Sequence, residues 1–248
     1  MKFTSILSVL LFYGLYAHAQ DPFERKVKFG IKGGFNASLF TRTVEPFGPA
    51  QRARLDYFRR FFHASGFGGL TAEGSISNRF SIGAEVLYSS RGMAHREKND
   101  YVVTYDEEGN EQQAYNYFNY NLAYLEFPIT VNYNFADPDS RTYVAAYAGM
   151  APAISVRATT KVRYAESIDA SGRRAVNEKS RLDNVNHFNN SILLGIKVGE
   201  HNTRSVSPLG DFRMSYTMLP VFKKDVVANG NNLKTAMLTC SIGLGLRF

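Results

Sequence analysis

Residues 236–248 read Ala-Met-Leu-Thr-Cys-Ser-Ile-Gly-Leu-Gly-Leu-Arg-Phe, with an apolar residue at every second position from Ala236 to Phe248. The positions between them are mostly Thr, Ser and Gly, with Arg247 near the end. Because successive side chains of a strand point to opposite faces, this pattern predicts a long strand with one apolar face. Its other face carries small and polar side chains.

Seven further segments carry the same alternation. The clearest are 27–39, 80–88 and 123–135. The weaker segments are 66–76, 141–157, 191–198 and 209–217, of which 141–157 is small and apolar on both faces. The resulting eight strands are an even number, as in a closed antiparallel barrel of the outer membrane.

The connections between these segments alternate in length. Short links with turn residues lie near 77–78, 136–139 and 199–205, and long polar links lie at 41–62, 91–118, 159–190 and 218–232. The long links fall at one end of the barrel, and the short links and both chain ends fall at the other. We therefore predict an all-β fold, an eight-stranded antiparallel up-and-down transmembrane β-barrel with long extracellular loops.

Composition removes several other classes. The 248 residues are 44% hydrophobic with 19 Phe and 15 Tyr, which is unlike a disordered chain. The single cysteine, Cys240, excludes an intramolecular disulfide framework, and the mean hydropathy of -0.25 argues against a helical membrane protein. A soluble sandwich or lipocalin-like barrel would alternate too, with its polar face in water.

Two features favour the membrane barrel over the soluble one. The chain ends on the apolar-face residue Phe248, and aromatic residues recur at strand ends, as in interfacial girdles. Those expected near the short turns are Phe29, Phe80, Tyr133, Phe135, Tyr143 and Phe248, and those expected near the long loops are Phe40, Tyr88 and Tyr120.

The N-terminus supplies a route to the envelope. Lys2 precedes an apolar run from Ile6 to Tyr16, and Ala17-His18-Ala19 has the small-x-small form of a cleavage site. We predict a cleaved signal peptide at 1–19 and an outer membrane β-barrel domain at 20–248. The expected location is the outer membrane of a Gram-negative bacterium.

Three motifs resemble one family. Lys28–Asn36, Tyr124–Ile129 and Ser241–Phe248 are similar to the opening strand, the tyrosine-leucine-glutamate-hydrophobe-proline segment and the closing strand of the PorT-like outer membrane β-barrel family of Bacteroidetes. This resemblance implies an eight-stranded outer-membrane barrel. The family's namesake takes part in secretion of proteins to the cell surface, whereas most members have no assigned activity.

Strand parity places charged side chains inside the barrel. An eight-stranded barrel is just wide enough to be filled by its own side chains, and a buried charge is costly unless it is paired. We predict an ion-pair network that plugs the lumen; a proton or ion path, or paired carboxylates for acid-base catalysis, is the functional alternative. The predicted members are Lys28, Lys32, Glu73, Glu85, Glu126, Lys197, Asp211, Arg213 and Arg247.

Catalytic signals are weak. His63 with Ser65, or His187 with Ser191 and Asn189, could form a Ser–His pair, but no G-x-S-x-G motif supports either pair. The sequence therefore predicts no enzymatic activity, no cofactor and no metal site. Cys240 falls on the predicted lipid face, where it acts as a small apolar residue.

Partners follow from the loops and the last strand. The second long link is rich in tyrosine, typical of an adhesive surface or of strands that extend beyond the bilayer. Expected partners are membrane lipids, the barrel assembly machinery through Phe248 and other envelope proteins, with no nucleic acid. The basic first link either stays solvated or binds lipopolysaccharide phosphate; its arginines are Arg42, Arg52, Arg54, Arg59 and Arg60.

These observations favour a small outer-membrane barrel with a structural or partner-binding role at the cell surface. Two alternatives remain open. One is an accessory component of a protein-secretion machine, which predicts copurification with envelope proteins. The other is a small transport pore, which predicts ion conductance.

Overall fold

A computed structural model describes residues 27–41, 58–136, 140, 142–163, 178–200, 206–223 and 235–248. The predicted signal peptide lies outside these residues, as do Arg42, Arg52 and Arg54 of the first long link. The described residues form eleven strands: β1 Val27–Phe40, β2 Phe58–Phe61, β3 His63–Ser75, β4 Phe80–Tyr105, β5 Glu111–Glu126, β6 Ile129–Asn134, β7 Thr142–Arg163, β8 Glu178–Arg181, β9 Phe188–Glu200, β10 Ser207–Thr217 and β11 Met237–Arg247.

Eight barrel strands, each of which we call a stave, close into a ring. The antiparallel order runs β1, β3, β4, β5 with β6, β7, β9, β10 and β11, and β11 then pairs with β1 from Gly30 opposite Arg247 to Phe40 opposite Met237. β5 and β6 form one stave interrupted at Phe127 and Pro128, because proline has no N–H to donate to the ladder. The predicted eight-stranded antiparallel barrel is confirmed.

The apolar face of each stave points outward. Phe35 is 74% exposed, Leu70 63% and Leu244 77%, although all are large and hydrophobic. The residues that alternate with this apolar series point into the barrel and are buried; Lys32 and Asn36 are examples on β1. A soluble protein of this size rarely exposes so continuous an apolar surface, so the barrel is inverted relative to a water-soluble one.

Two long links differ from expectation. Residues 91–118 form a tall β-hairpin, because β4 and β5 stay paired above the barrel as far as Tyr105 opposite Glu111, with a shift of register between Lys98 and Val103. The third link likewise contains strand residues, namely the end of β7 at 159–163, all of β8 and the start of β9 at 188–190. β8 pairs with the upper end of β7. These segments mix charged, polar and apolar side chains, so the regular alternation that marks a strand in the membrane is absent from their sequence, although backbone pairing persists.

Three residues of the predicted aromatic girdles point inward. Tyr143, Phe40 and Tyr120 are 5%, 0% and 1% exposed. Phe40 shares the parity of Lys32 and Asn36 on β1, and therefore faces the lumen. The girdle prediction was wrong for these three, because it weighed aromatic character above strand parity. Phe29, Phe80 and Phe248 are exposed on the outer surface as expected.

Inward-facing glycines allow staves to approach closely. A Cβ added to Gly34 would lie 2.1 Å from the Ile242 carbonyl oxygen, whereas one added to outward Gly33 would meet nothing nearer than 3.4 Å. We expect Gly34→Ala to lower the free energy of unfolding by about 1–3 kcal/mol, because the β1–β11 ladder must shift. Gly33→Ala on the same strand is the matched control and should leave stability nearly unchanged. Urea unfolding of both variants in detergent tests this; equal stabilities would contradict it.

Candidate functional site

A charge quartet fills the middle of the lumen. The Lys32 ammonium lies 2.7 Å from Glu85 Oε1 and 2.8 Å from Asp211 Oδ2. Arg213 Nη2 lies 2.7 Å from Glu85 Oε2 and 3.4 Å from Asp211 Oδ2. All four side chains are almost fully buried. Two cations and two anions therefore neutralise each other at the point where burial of a single charge would cost most.

Tyr147 completes the quartet from β7. Its hydroxyl donates to Asp211 Oδ1 at 2.6 Å and accepts from Arg213 Nε at 3.0 Å. The sequence did not indicate this residue, because residues 141–157 are small and apolar on both faces. The hydroxyl bridges an anion and a cation and so fixes their relative positions across the lumen.

A second ion pair lies nearer the short turns. Lys197 Nζ lies 3.2 Å from Glu73 Oε2, and Glu73 Oε1 also accepts from Ser81 Oγ at 2.7 Å and from the Tyr143 hydroxyl at 3.0 Å. Arg247 stacks 4.4 Å from the centre of the Tyr143 ring. Tyr143 points inward because its hydroxyl donates to Glu73 and its ring contacts Arg247.

Lys28 lies at the edge of the predicted set. It is half-buried at the short-turn rim, directly opposite Glu73 in the β1–β3 register. Arg247 donates from Nη2 to the backbone oxygen of Glu200 at 2.9 Å, which ties it to the same rim. The predicted set therefore separates into a central quartet, a lower pair with two rim cations, and Glu126 above them.

Glu126 pairs with Arg91, which is not a member of the predicted set. Arg91 Nη2 lies 2.6 Å from Glu126 Oε2, and Arg91 Nε donates to Ser89 Oγ at 3.3 Å. The predicted second long link begins at Arg91. It continues the inward series of Ser81, Glu85 and Ser89 by one step of two residues, so extending the alternation would have found it.

Apolar side chains close the lumen at the long-loop end. Phe40 packs against Phe222 with ring centroids 5.5 Å apart and nearly perpendicular planes. Val185, from the segment 182–187, and Phe222, from the segment 219–223, enter the mouth and pair with each other. The buried cluster comprises Phe40, Met93, Phe118, Tyr120, Leu122, Tyr124, Ala153, Ala158, Val162, Val185, Val221, Phe222 and Met237.

A buried histidine lies beside this cluster. His95 stacks on Phe118 and Tyr120 at centroid distances of 4.7 and 5.7 Å. It lies on β4 beyond Tyr88, where the outward apolar belt of that strand ends. Burial penalises the charged imidazolium and lowers the pKa of His95 to about 4.

The mouth should consequently weaken in mild acid. Between pH 7.5 and 5 the unfolded imidazole, with an ordinary pKa near 6.5, takes up a proton that folded His95 does not. Unfolding is thereby favoured by about 2 kcal/mol at pH 5. Relative to His95→Phe, the native chain should therefore lose about 2 kcal/mol of unfolding free energy between pH 7.5 and pH 5. A difference that stays constant with pH would contradict the assignment.

The β4–β5 hairpin rises beyond the mouth. Its tip is ordered by Asp106, whose carboxylate accepts the backbone N–H groups of Glu108 at 3.0 Å and Asn110 at 2.8 Å. The hydrogen bonds from Asn110 hold the pKa of Asp106 below its ordinary value. Gly109 has a φ of 82°, a left-handed conformation that glycine adopts at little cost. The tip is therefore a defined turn.

The two histidine–serine candidates do not assemble. Ser65 Oγ donates to the carbonyl of Ser90 on β4. His187 is exposed outside, whereas Ser191 is buried on the inward face of β9. Neither pair therefore shows the serine-to-histidine hydrogen bond that a nucleophile–base pair requires. Within the part of the chain that the structure describes, no group of three or more His, Cys, Asp or Glu side chains could hold a metal ion.

Several solved structures of small outer-membrane barrels are similar at low identity. The attachment invasion locus protein Ail of Yersinia pestis matches with 8% identity and a TM-score of 0.37, covering 90% of this chain and 99% of its own. Neisserial surface protein A matches with 13% identity and a TM-score of 0.38, covering 90% and 97%. OprG of Pseudomonas aeruginosa matches with 11% identity and a TM-score of 0.35, covering 90% and 97%.

The family assignment comes from the sequence itself. No curated protein matches the chain. The model of the outer membrane protein beta-barrel domain family matches residues 18–218, which is most of the chain. That span runs from the predicted cleavage site to the end of β10. Together with the closed ring of staves and the outward apolar belt, the match shows that the chain belongs to the outer membrane protein beta-barrel domain family.

Proposed function

We propose that the protein is a closed, non-enzymatic barrel that anchors a partner-binding hairpin at the cell surface. The observation that carries this proposal is the extension of β4 and β5 beyond the barrel as a paired ribbon ending at Tyr105 and Glu111. In this proposal the membrane-embedded part is a rigid support. The long-loop end faces the exterior, as in outer-membrane barrels generally.

The contents of the lumen favour a support over a pore. The quartet of Lys32, Glu85, Asp211 and Arg213 spans the barrel from β1 and β4 to β10. Above it, the mouth is filled by the apolar cluster around Phe222. A permeating ion would have to separate buried ion pairs and then cross an apolar barrier, both of which are costly. We therefore propose that the barrel does not conduct.

The hairpin carries the side chains that a protein interface uses. Tyr105, Val103 and Tyr117 are 65%, 53% and 46% exposed. Arg96 lies over the Tyr115 ring at 4.3 Å and over Phe61 at 5.6 Å. Aromatic residues and arginine are enriched at binding hot spots, because they offer large rigid contacts together with hydrogen-bonding groups.

Surface labelling tests the orientation. In a Cys240→Ser background, Glu108→Cys at the hairpin tip should react with a membrane-impermeant maleimide on intact cells. Asn78→Cys, in the short turn between β3 and β4, is the matched control and should react only after the envelope is opened. Labelling of Asn78→Cys alone on intact cells would reverse the proposed topology.

Photocrosslinking tests the binding role. A photoreactive phenylalanine analogue at Tyr105 or Tyr117 should give a discrete protein adduct on intact cells. The same analogue at Phe188, which is exposed on the outer surface of β9, serves as the control. Adducts absent from both hairpin positions, in a chain that is folded and labelled at its tip, would refute the partner-binding role.

The secretion alternative makes a narrower prediction. If the partner belongs to a protein-export machine, deletion of the gene should block the appearance of exported proteins at the surface. Normal export in the deletion strain would remove this alternative while leaving the hairpin as a binding surface. The resemblance to PorT-like proteins supports testing it.

Export and assembly complete the proposal. We place cleavage of the signal peptide after Ala19, followed by recognition of the last strand by the barrel assembly machinery. Phe248 extends the β11 ladder, since its N–H donates to the Phe29 oxygen at 2.9 Å and its oxygen accepts from Phe29 N–H at 3.1 Å. Its ring is exposed on the outer face, where an assembly factor could reach it.

A further inference from the structure

A β-bulge reverses the parity of β7 at the upper edge of the barrel. Tyr124 of β5 lies opposite Ser155 and the preceding Ala123 lies opposite Arg157, so that Val156 is an extra residue. Below the bulge, odd-numbered residues such as Tyr147 and Ala153 face the lumen; above it, Ala158, Thr160 and Val162 do. A bulge of this kind re-aims every side chain that follows it.

The reversal sends a series of cations to the outer surface. Arg157, Lys161 and Arg163 are exposed, whereas uninterrupted alternation would have directed them into the barrel mouth. β8 enlarges the same face, because Arg181 pairs with Thr159 and Lys179 pairs with Lys161 in the antiparallel register. The bulge thus places apolar side chains in the mouth and basic side chains outside.

These cations border the apolar belt directly. Ile154 and Val156 on β7, and Phe188 opposite Ile154 on β9, are large, apolar and exposed. The outward apolar positions of β7 run from Val144 to Val156, a length that covers about 30 Å when the strand is tilted as in a barrel. This matches the hydrocarbon thickness of a bilayer, so the cations begin at the headgroup level.

A groove lies at this boundary. It has a volume of about 410 Å³ and runs between the bulge and the segment that follows β8, where Arg157, Arg181 and His187 line it. Beside these cations, Asp183 Oδ1 accepts from Arg181 Nε at 3.2 Å, with both side chains more than four-fifths exposed. Exposed pairs of this kind are weak, so Arg181 remains able to bind a stronger anion.

We propose that this face, which we call the β7–β8 basic face (Arg157, Lys161, Arg163, Lys179 and Arg181), binds the phosphate groups of lipid A in the outer leaflet. The acyl chains of lipid A would lie along Ile154, Val156 and Phe188, while the phosphates of lipid A contact the cations and enter the groove. A phosphorylated glycolipid has this combination of charge and apolar length, and guanidinium groups bind phosphate through paired hydrogen bonds. The inference rests on the orientation proposed above.

The test uses the folded full-length mature chain in lipopolysaccharide-free detergent, with lipid A as the probe and native mass spectrometry as the readout. The triple variant Arg157→Gln/Lys161→Gln/Arg181→Gln should bind bisphosphorylated lipid A about 100-fold more weakly, at roughly fivefold per cation. Arg79→Gln removes one exposed charge from the short turn between β3 and β4, at the other end of the barrel, and is the matched control for Arg181→Gln alone. Arg181→Gln should weaken binding about fivefold, and Arg79→Gln less than about twofold.

Each outcome decides the proposal. Phosphatase-treated lipid A should bind the native chain about as weakly as the triple variant binds intact lipid A, and equimolar inorganic phosphate should not compete. Equal losses in Arg79→Gln and Arg181→Gln, binding independent of lipid phosphorylation, or full competition by free phosphate would each overturn it. If Glu108→Cys is labelled on intact cells but lipid A binding fails this test, the lipid site alone is refuted. If Glu108→Cys is not labelled on intact cells, the proposed orientation is refuted.

Discussion

Glu85→Gln is expected to lower the free energy of unfolding by about 3–5 kcal/mol. The substitution preserves shape and leaves Lys32 and Arg213 to share Asp211 as their remaining partner in the quartet. A buried cation without full compensation cannot recover the hydration that it lost on folding. Urea unfolding in detergent, followed by circular dichroism because the chain contains no tryptophan, measures the loss.

A charge-balanced double variant separates electrostatics from packing. Lys32→Met/Glu85→Gln removes one charge of each sign and leaves Arg213 with Asp211 and Tyr147. It should regain at least half of the stability that Glu85→Gln loses, because replacing a buried ion pair is far less costly than breaking one. Glu108→Gln at the exposed hairpin tip is the control for the substitution itself. A double variant that is less stable than Glu85→Gln would refute a self-neutralising quartet.

Phe222→Ala is expected to cost about 3–5 kcal/mol at the mouth, as large-to-small changes in packed cores do. Phe222 is 3% exposed and packs against Phe40. We expect the 219–223 segment to leave the mouth, which would expose the backbone N–H groups of Val221, Lys223 and Asn186. These three N–H groups donate, at 2.7–2.9 Å, to the backbone oxygens of Thr235, Asn184 and Val221 respectively.

Hydrogen exchange at these three amides is the measurement for this prediction. They should exchange at least about 100-fold faster in Phe222→Ala, while the amides of the β1–β11 ladder keep their protection. Leu219→Ala, in the same segment but 41% exposed, is the matched control and should exchange like the native chain. Because the quartet lies below the mouth, the variant should still not conduct. Unchanged protection in Phe222→Ala would show that the apolar cluster does not close the barrel.

The period of two along the strands predicted much of the barrel interior. Once Ile242 and Leu244 are placed on the outside, Ser241 and Arg247 must face inward, and the same rule brings Lys32, Glu85, Asp211 and Arg213 to one lumen. Parity does not depend on the partner strand, so it can be read without knowledge of the fold. Which cation meets which anion depends on register and tilt, which local sequence does not encode.

The remaining features arise where parity is interrupted or carries no signal. The bulge at Val156 leaves no mark in a segment that is small on both sides, so the reversal of Arg157 and Lys161 could not be predicted. The hairpin above Ser90 mixes charged, polar and apolar side chains without regular alternation, so its sequence predicts a loop. Val221 and Phe222 enter the mouth through tertiary packing, although their apolar character in a polar link was an available signal.

Ion conductance across a planar bilayer tests the central claim, a barrel closed by its own side chains, most directly. The mature chain should be inserted after its fold has been verified by the change in electrophoretic mobility on boiling. A barrel closed in this way should give no current steps above the membrane baseline at any salt concentration. Discrete steps whose size rises with salt concentration would show an open lumen and would contradict both the quartet and the closed mouth.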